Sequence, residues 1–84
     1  MATFLAEAYV PAPGSVQLRQ VVARLRAAAR ELTGEGTPVR LLQTIFVPGD
    51  ELCFHVFEGP SAAAVGEAGR RVGLDFDRVV EAAS

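Results

Sequence analysis

Two runs rich in β-branched and aromatic residues, 38–47 (PVRLLQTIFV) and 52–58 (LCFHVFE), are separated only by Pro48-Gly49-Asp50-Glu51. Four residues cannot hold a crossover, so the two runs must pair as an antiparallel hairpin with Val47 facing Leu52. Pro then Gly is the signature of a type II turn, with glycine in the left-handed position. This hairpin, placed mid-chain, restricts the fold more than any other feature.

On either side of it the period changes. Residues 16–33 set Leu18, Val22, Leu25, Ala29 and Leu32 on one helical stripe and turn Arg19, Arg26 and Arg30 away as a solvated face. Ser15 is the expected N-cap, and Gly34 and Gly36 close the helix. After the hairpin, Ser61 caps a second helix, Ala62 to Val72, ended by Gly73. Its apolar side is light: Ala64, Val65, Ala68 and Val72. Arg70 and Arg71 complement the dipole at its end. Residues 3–10 (TFLAEAYV) alternate before Pro11 and Pro13 and read as a strand. The tail DFDRVVEAA reads as a short last strand whose register is open between Val79 and Val80, with Asp75, Asp77 and Arg78 making local pairs.

The order is therefore β-α-β-β-α-β in one domain, residues 1–84. Right-handed crossovers around a central hairpin give an α+β, ferredoxin-like fold. Its four-stranded antiparallel sheet has strand order 4-1-3-2, with both helices on one face. The other face is left open.

Alternation assigns the side chains to those faces. Phe4, Ala6, Ala8, Val10, Val39, Leu41, Ile45, Val47, Leu52, Phe54 and Val56 are expected under the helices. Gln43 breaks this series, which a bulge in the second strand would explain. Leu5, Glu7, Tyr9, Leu42, Thr44, Phe46, Cys53, His55 and Phe57 are expected on the open face. Half of the 84 residues are hydrophobic, and a chain of this size has only a thin core of its own. An uncovered apolar face then calls for a partner, and the expectation is a homodimer through the open sheet face.

In that arrangement Glu7 and Tyr9 sit beside Cys53 and His55 on neighbouring central strands. Imidazole and thiolate suit nickel, copper or zinc better than calcium or magnesium, so His55, Cys53, Glu7 and Tyr9 are candidate ligands of a divalent transition metal. A Cys-x-His pair alone is a weak signal. The competing structural reading makes Cys53 a buried small hydrophobe and His55 an interface histidine bonded to Glu7. A third makes Glu7 or His55 a general base in an inter-sheet cavity that binds or converts a small organic molecule. No nucleophile with an orienting base and no phosphate-cradling glycine loop accompanies them, so a non-enzymatic protein is expected. A purely structural interaction module is the remaining alternative.

Several motifs also resemble those of a known family. Glu7-x-Tyr9-x-Pro11, Phe46-Val47-Pro48-x-Asp50-Glu51-x-Cys53-Phe54, Phe57-Glu58-x-Pro60-Ser61 and Phe76-Asp77-Arg78-Val79-Val80-Glu81 are similar to a family of small domains of unknown function that includes a nickel-binding protein. The resemblance runs nearly the whole chain, and the hairpin is its most specific part. It implies a ferredoxin-like fold, a homodimer, and nickel binding in at least one member.

Charge and cysteine usage narrow the remaining classes. The eight basic residues are all Arg, are outnumbered by ten carboxylates, and form no cluster in sequence. A general nucleic-acid binder is not expected from such a chain. Heavy-metal transfer domains of this topology carry CxxC in the first loop, where this chain has Pro-Ala-Pro-Gly-Ser. The RNP1 pattern of RNA-recognition modules is absent from 51–59. One cysteine allows no internal disulfide, and no stretch reads as a signal peptide or a membrane span; a cytoplasmic location is expected.

Overall fold

The computed structural model describes residues 1–9 and 15–83, without the side chains of Ser15 and Val16. The expectations for Val10, for the 11–14 loop and for the Ser15 cap lie outside the described residues. The elements are β1 (Ala2–Tyr9), α1 (Ser15–Gly34), β2 (Arg40–Val47), β3 (Leu52–Gly59), α2 (Ala62–Arg71) and β4 (Arg78–Ala82). The strands form one sheet in the order β2-β3-β1-β4, antiparallel throughout. This is the ferredoxin-like α+β fold that the pattern of periods predicts.

The core lies between the helices and one face of the sheet. Leu25, Ala29 and Leu32 of α1 meet Phe4 and Ala6 of β1, Phe57 of β3, and Ala64, Val65 and Ala68 of α2. Small residues on α2 let it approach closely. A Cβ built on Gly69 would stand 2.6 Å from Phe76 Cε2, so the Phe76 ring packs directly on bare helix backbone. Ser61 caps α2 as expected, its hydroxyl accepting from the Ala64 amide at 3.2 Å. At the other end Gly73 takes a φ of 77°, and the Leu74 amide reaches back to the Gly69 carbonyl at 2.8 Å. No helix of the described residues is long and apolar enough to cross a membrane.

Two local expectations are corrected. Val47 does pair with Leu52, but that register leaves four loop residues, whereas a type II turn centred on Pro48-Gly49 would pair Val47 with Asp50. The loop instead forms a 3-10 turn, Pro48–Asp50, whose left-handed residue is Glu51 at φ 54°. Gly49 is not in the left-handed region.

The second correction is larger. The ladder between β2 and β3 shifts between Leu41 and Gln43, leaving Leu42 as an extra, unpaired residue. Leu41 points under the helices and Gln43 away from them, so every later residue of β2 is out of phase with simple alternation. Thr44 and Phe46 therefore point inward, and Ile45 and Val47 outward. Because the hairpin ties Val47 to Leu52, the inversion passes to β3. Cys53, His55 and Phe57 are buried beneath the helices, opposite Ala8, Ala6 and Phe4, while Leu52, Phe54 and Val56 face away.

Candidate functional site

The four candidate ligands divide between the two faces. Cys53 and His55 lie within the helix-covered layer, with His55 only 1% exposed. Its Nδ1 is 2.8 Å from Thr44 Oγ1, and its Nε2 is 3.6 Å from Cys53 Sγ. Phe76 leans against the imidazole at a centroid distance of 5.7 Å. A hydroxyl and a thiol can each donate or accept, so either imidazole tautomer leaves both ring nitrogens partnered. Among the described residues no buried side-chain nitrogen or oxygen lacks a hydrogen bond.

Burial keeps both groups uncharged near neutrality. It lowers the His55 pKa to about 4 and raises that of Cys53 to about 11, because a charged form would lose its hydration without gaining a counter-ion. The thiol is therefore a poor nucleophile as folded.

Glu7 and Tyr9 stand on the uncovered face. Glu7 pairs with Arg78 across the β1–β4 ladder at 3.8 Å. Tyr9 is 59% exposed. Its phenol hydrogen-bonds to Glu51, whose negative charge raises the Tyr9 pKa. The Tyr9 amide donates to Asp77 Oδ2 at 3.1 Å, which holds the entry to β4 against the end of β1.

The expected metal set thus fits in part only. A tetrahedral ion with sulfur about 2.3 Å away and nitrogen about 2.0 Å away spaces those two ligands roughly 3.5 Å apart, as Cys53 and His55 are spaced. Glu7 and Tyr9 cannot complete that sphere from across the sheet. Among the described residues no three of His, Cys, Asp and Glu converge as ligands.

Sequence reading placed Leu5, Glu7 and Tyr9 on the uncovered face correctly but missed what β2 and β3 bring to it. Across β2, β3, β1 and β4 its successive rows are Val47, Leu52 and Tyr9; Ile45, Phe54, Glu7 and Arg78; Gln43, Val56, Leu5 and Val80; and Arg40, Glu58, Thr3 and Ala82. The middle of this surface is apolar, and Ile45 is 45% exposed. The signal that could have found it is Gln43, which marks the place where alternation breaks.

Neither a protein-family model nor a curated protein matches this chain. Among solved structures it is similar to a crystal structure of SCO4226 from Streptomyces coelicolor A3(2). The TM-score is 0.85 at 25% identity, over 99% of this chain and 98% of that one. The similarity extends over the whole sheet and both helices.

Proposed function

We propose that the chain is a non-enzymatic module that works as a homodimer, joined through the uncovered face of its sheet. The observation that carries this reading is the apolar centre formed by Leu5, Ile45, Leu52, Phe54, Val56 and Val80 on the face away from the helices. There Ile45 is exposed, Leu5, Leu52, Phe54 and Val80 are half-buried, and Val56 is buried among them. The adjacent charges, Glu7 and Arg78, already neutralise one another. A second copy therefore meets no net charge when the same surface is turned on itself about a two-fold axis. A reducing, cytoplasmic setting suits the single buried thiol.

Sedimentation equilibrium at micromolar concentration tests the reading. The expected mass is twice the 8.9 kDa of one chain, and Phe54→Glu, which sets a charge in the middle of the face, is expected to reduce it to one. A wild-type protein that sediments as a single chain removes the proposal.

The separation of 3.6 Å between Cys53 Sγ and His55 Nε2 favours one second reading, binding of nickel or another divalent transition metal at that pair. Its cost is removal of the thiol proton in a buried site. Calorimetric titration of nickel into wild type and His55→Ala decides it. Loss of binding in the variant supports the pair as ligands, equal affinity removes His55, and no binding to wild type removes the metal.

A further inference from the structure

The arginines of this acidic protein are not evenly placed. Arg70 and Arg71 bind carboxylates of Glu67, Glu31 and Glu35, and Arg78 pairs with Glu7. Arg24 donates to the Val72 carbonyl at 3.1 Å. The other four, Arg19, Arg26, Arg30 and Arg40, border the cleft between α1 and edge strand β2. Among the described residues none of these four is ion-paired with a carboxylate.

That cleft has two lobes. One, of about 640 Å³, lies between Arg30 and Arg40 over Val39, Pro38 and the Met1 side chain, with the Glu58 carboxylate also on its wall beside Arg40. The other, of about 510 Å³, lies between Arg19 and Arg26 over Leu18, Val22 and the bulged Leu42. A narrower space of about 90 Å³ is lined by Arg26, Arg30 and Arg40, which also line the two lobes. The lobe volumes fall within the range of about 300–1,000 Å³ usual for small-ligand sites. An apolar floor with guanidinium groups at its rim complements a molecule with a greasy body and an anionic end. With Glu58 on the wall of the first lobe, the Arg19–Arg26 lobe is the better seat for the anionic end. Burying the body removes apolar surface from water, and the planar guanidinium forks match a carboxylate two bonds at a time.

We propose that the α1–β2 cleft binds an organic carboxylate with an elongated apolar body. The site opens at the β2 edge of the sheet: Arg19, Arg26 and Arg30 reach it from α1, and Arg40 reaches it from the edge row it shares with Glu58. A small molecule suits it better than an added peptide strand. The β2 edge is interrupted by its bulge, and Arg26 already donates to the Leu41 carbonyl there at 3.1 Å. An edge broken in this way resists strand pairing. The bulge thus supplies part of the cleft floor through Leu42 while closing the edge beside it.

Nuclear magnetic resonance titration with octanoate tests the proposal, with octanol and inorganic phosphate as comparison probes. Octanoate is expected to shift amide signals of α1 and of 39–44, and to bind more tightly than either comparison probe. Arg19→Gln leaves the Arg26–Leu41 contact in place and is expected to weaken octanoate binding about tenfold. Arg70→Gln, far from the cleft, is expected to leave it unchanged. Three results would overturn the proposal: no shifts with millimolar octanoate, shifts confined to the uncovered face, or equal affinity in the Arg19→Gln variant. Parallel sedimentation shows whether the dimer persists, so the two readings fail separately.

Discussion

His55 is a polar side chain whose burial creates a measurable pH dependence. Its pKa falls from an ordinary 6.5 to about 4 in the folded protein. The unfolded chain therefore binds a proton across that interval and the folded one does not. The sign follows: the stability associated with neutral His55 is complete above about pH 6.5 and is lost as the pH falls toward about 4. Urea unfolding at pH 7 and pH 5 is expected to differ by about 2 kcal/mol from this group. Because this is the only histidine, its ring signals can be followed without ambiguity and should show no titration above pH 5 in the folded state. An imidazole titrating near 6.5 would contradict the burial described here. Cys53 and Thr44 keep the neutral ring satisfied at both nitrogens. Their role is compatible with pure structure, and the side-chain types alone gave no means of distinguishing that from ligation.

At the scale of elements, one residue decides which side of the sheet carries the chemistry. Element order, the pairing of Val47 with Leu52 and the apolar stripe of α1 were all legible, because each depends on local period or on chain connectivity. The faces of β2 and β3 were not, because alternation transmits a single error without correcting it. Gln43 announced the irregularity, but sequence did not say that Leu42 was the extra residue. Alternation from Val39 placed Ile45 and Val47 inward, and the hairpin then carried the inversion to Cys53 and His55. The apparent meeting of those two with Glu7 and Tyr9 was a product of that phase. Removing Leu42 tests this account. Deletion leaves Leu41 inward, Gln43 outward and Thr44 inward, a fully alternating strand that needs no bulge. The deletion variant is expected to fold with His55 still against Phe76, as nuclear Overhauser contacts would show. It should lose about 1–2 kcal/mol with the half-buried leucine. If β3 instead turns its other face inward, the bulge does not set the phase.

For the whole molecule, the helices cover one side of a four-stranded sheet and leave the other to something else. Phe54, Val56 and Leu5 occupy adjacent positions on the two central strands, where no element of the described chain lies over them. Burying that surface against a second copy stabilises the folded state by mass action, since the unfolded chain has no such face to offer. The thermal midpoint should then depend on concentration. For a dimer of two chains this size, each tenfold increase is expected to raise Tm by about 3–5 °C. Scanning calorimetry over two decades of concentration would show it. The Phe54→Glu variant, if it remains folded, should lose the dependence while keeping the pH response of His55, because the two sit on opposite sides of the sheet. A wild-type Tm that does not move with concentration would mean that the uncovered face stays in water, and that its apolar residues serve something other than a second copy.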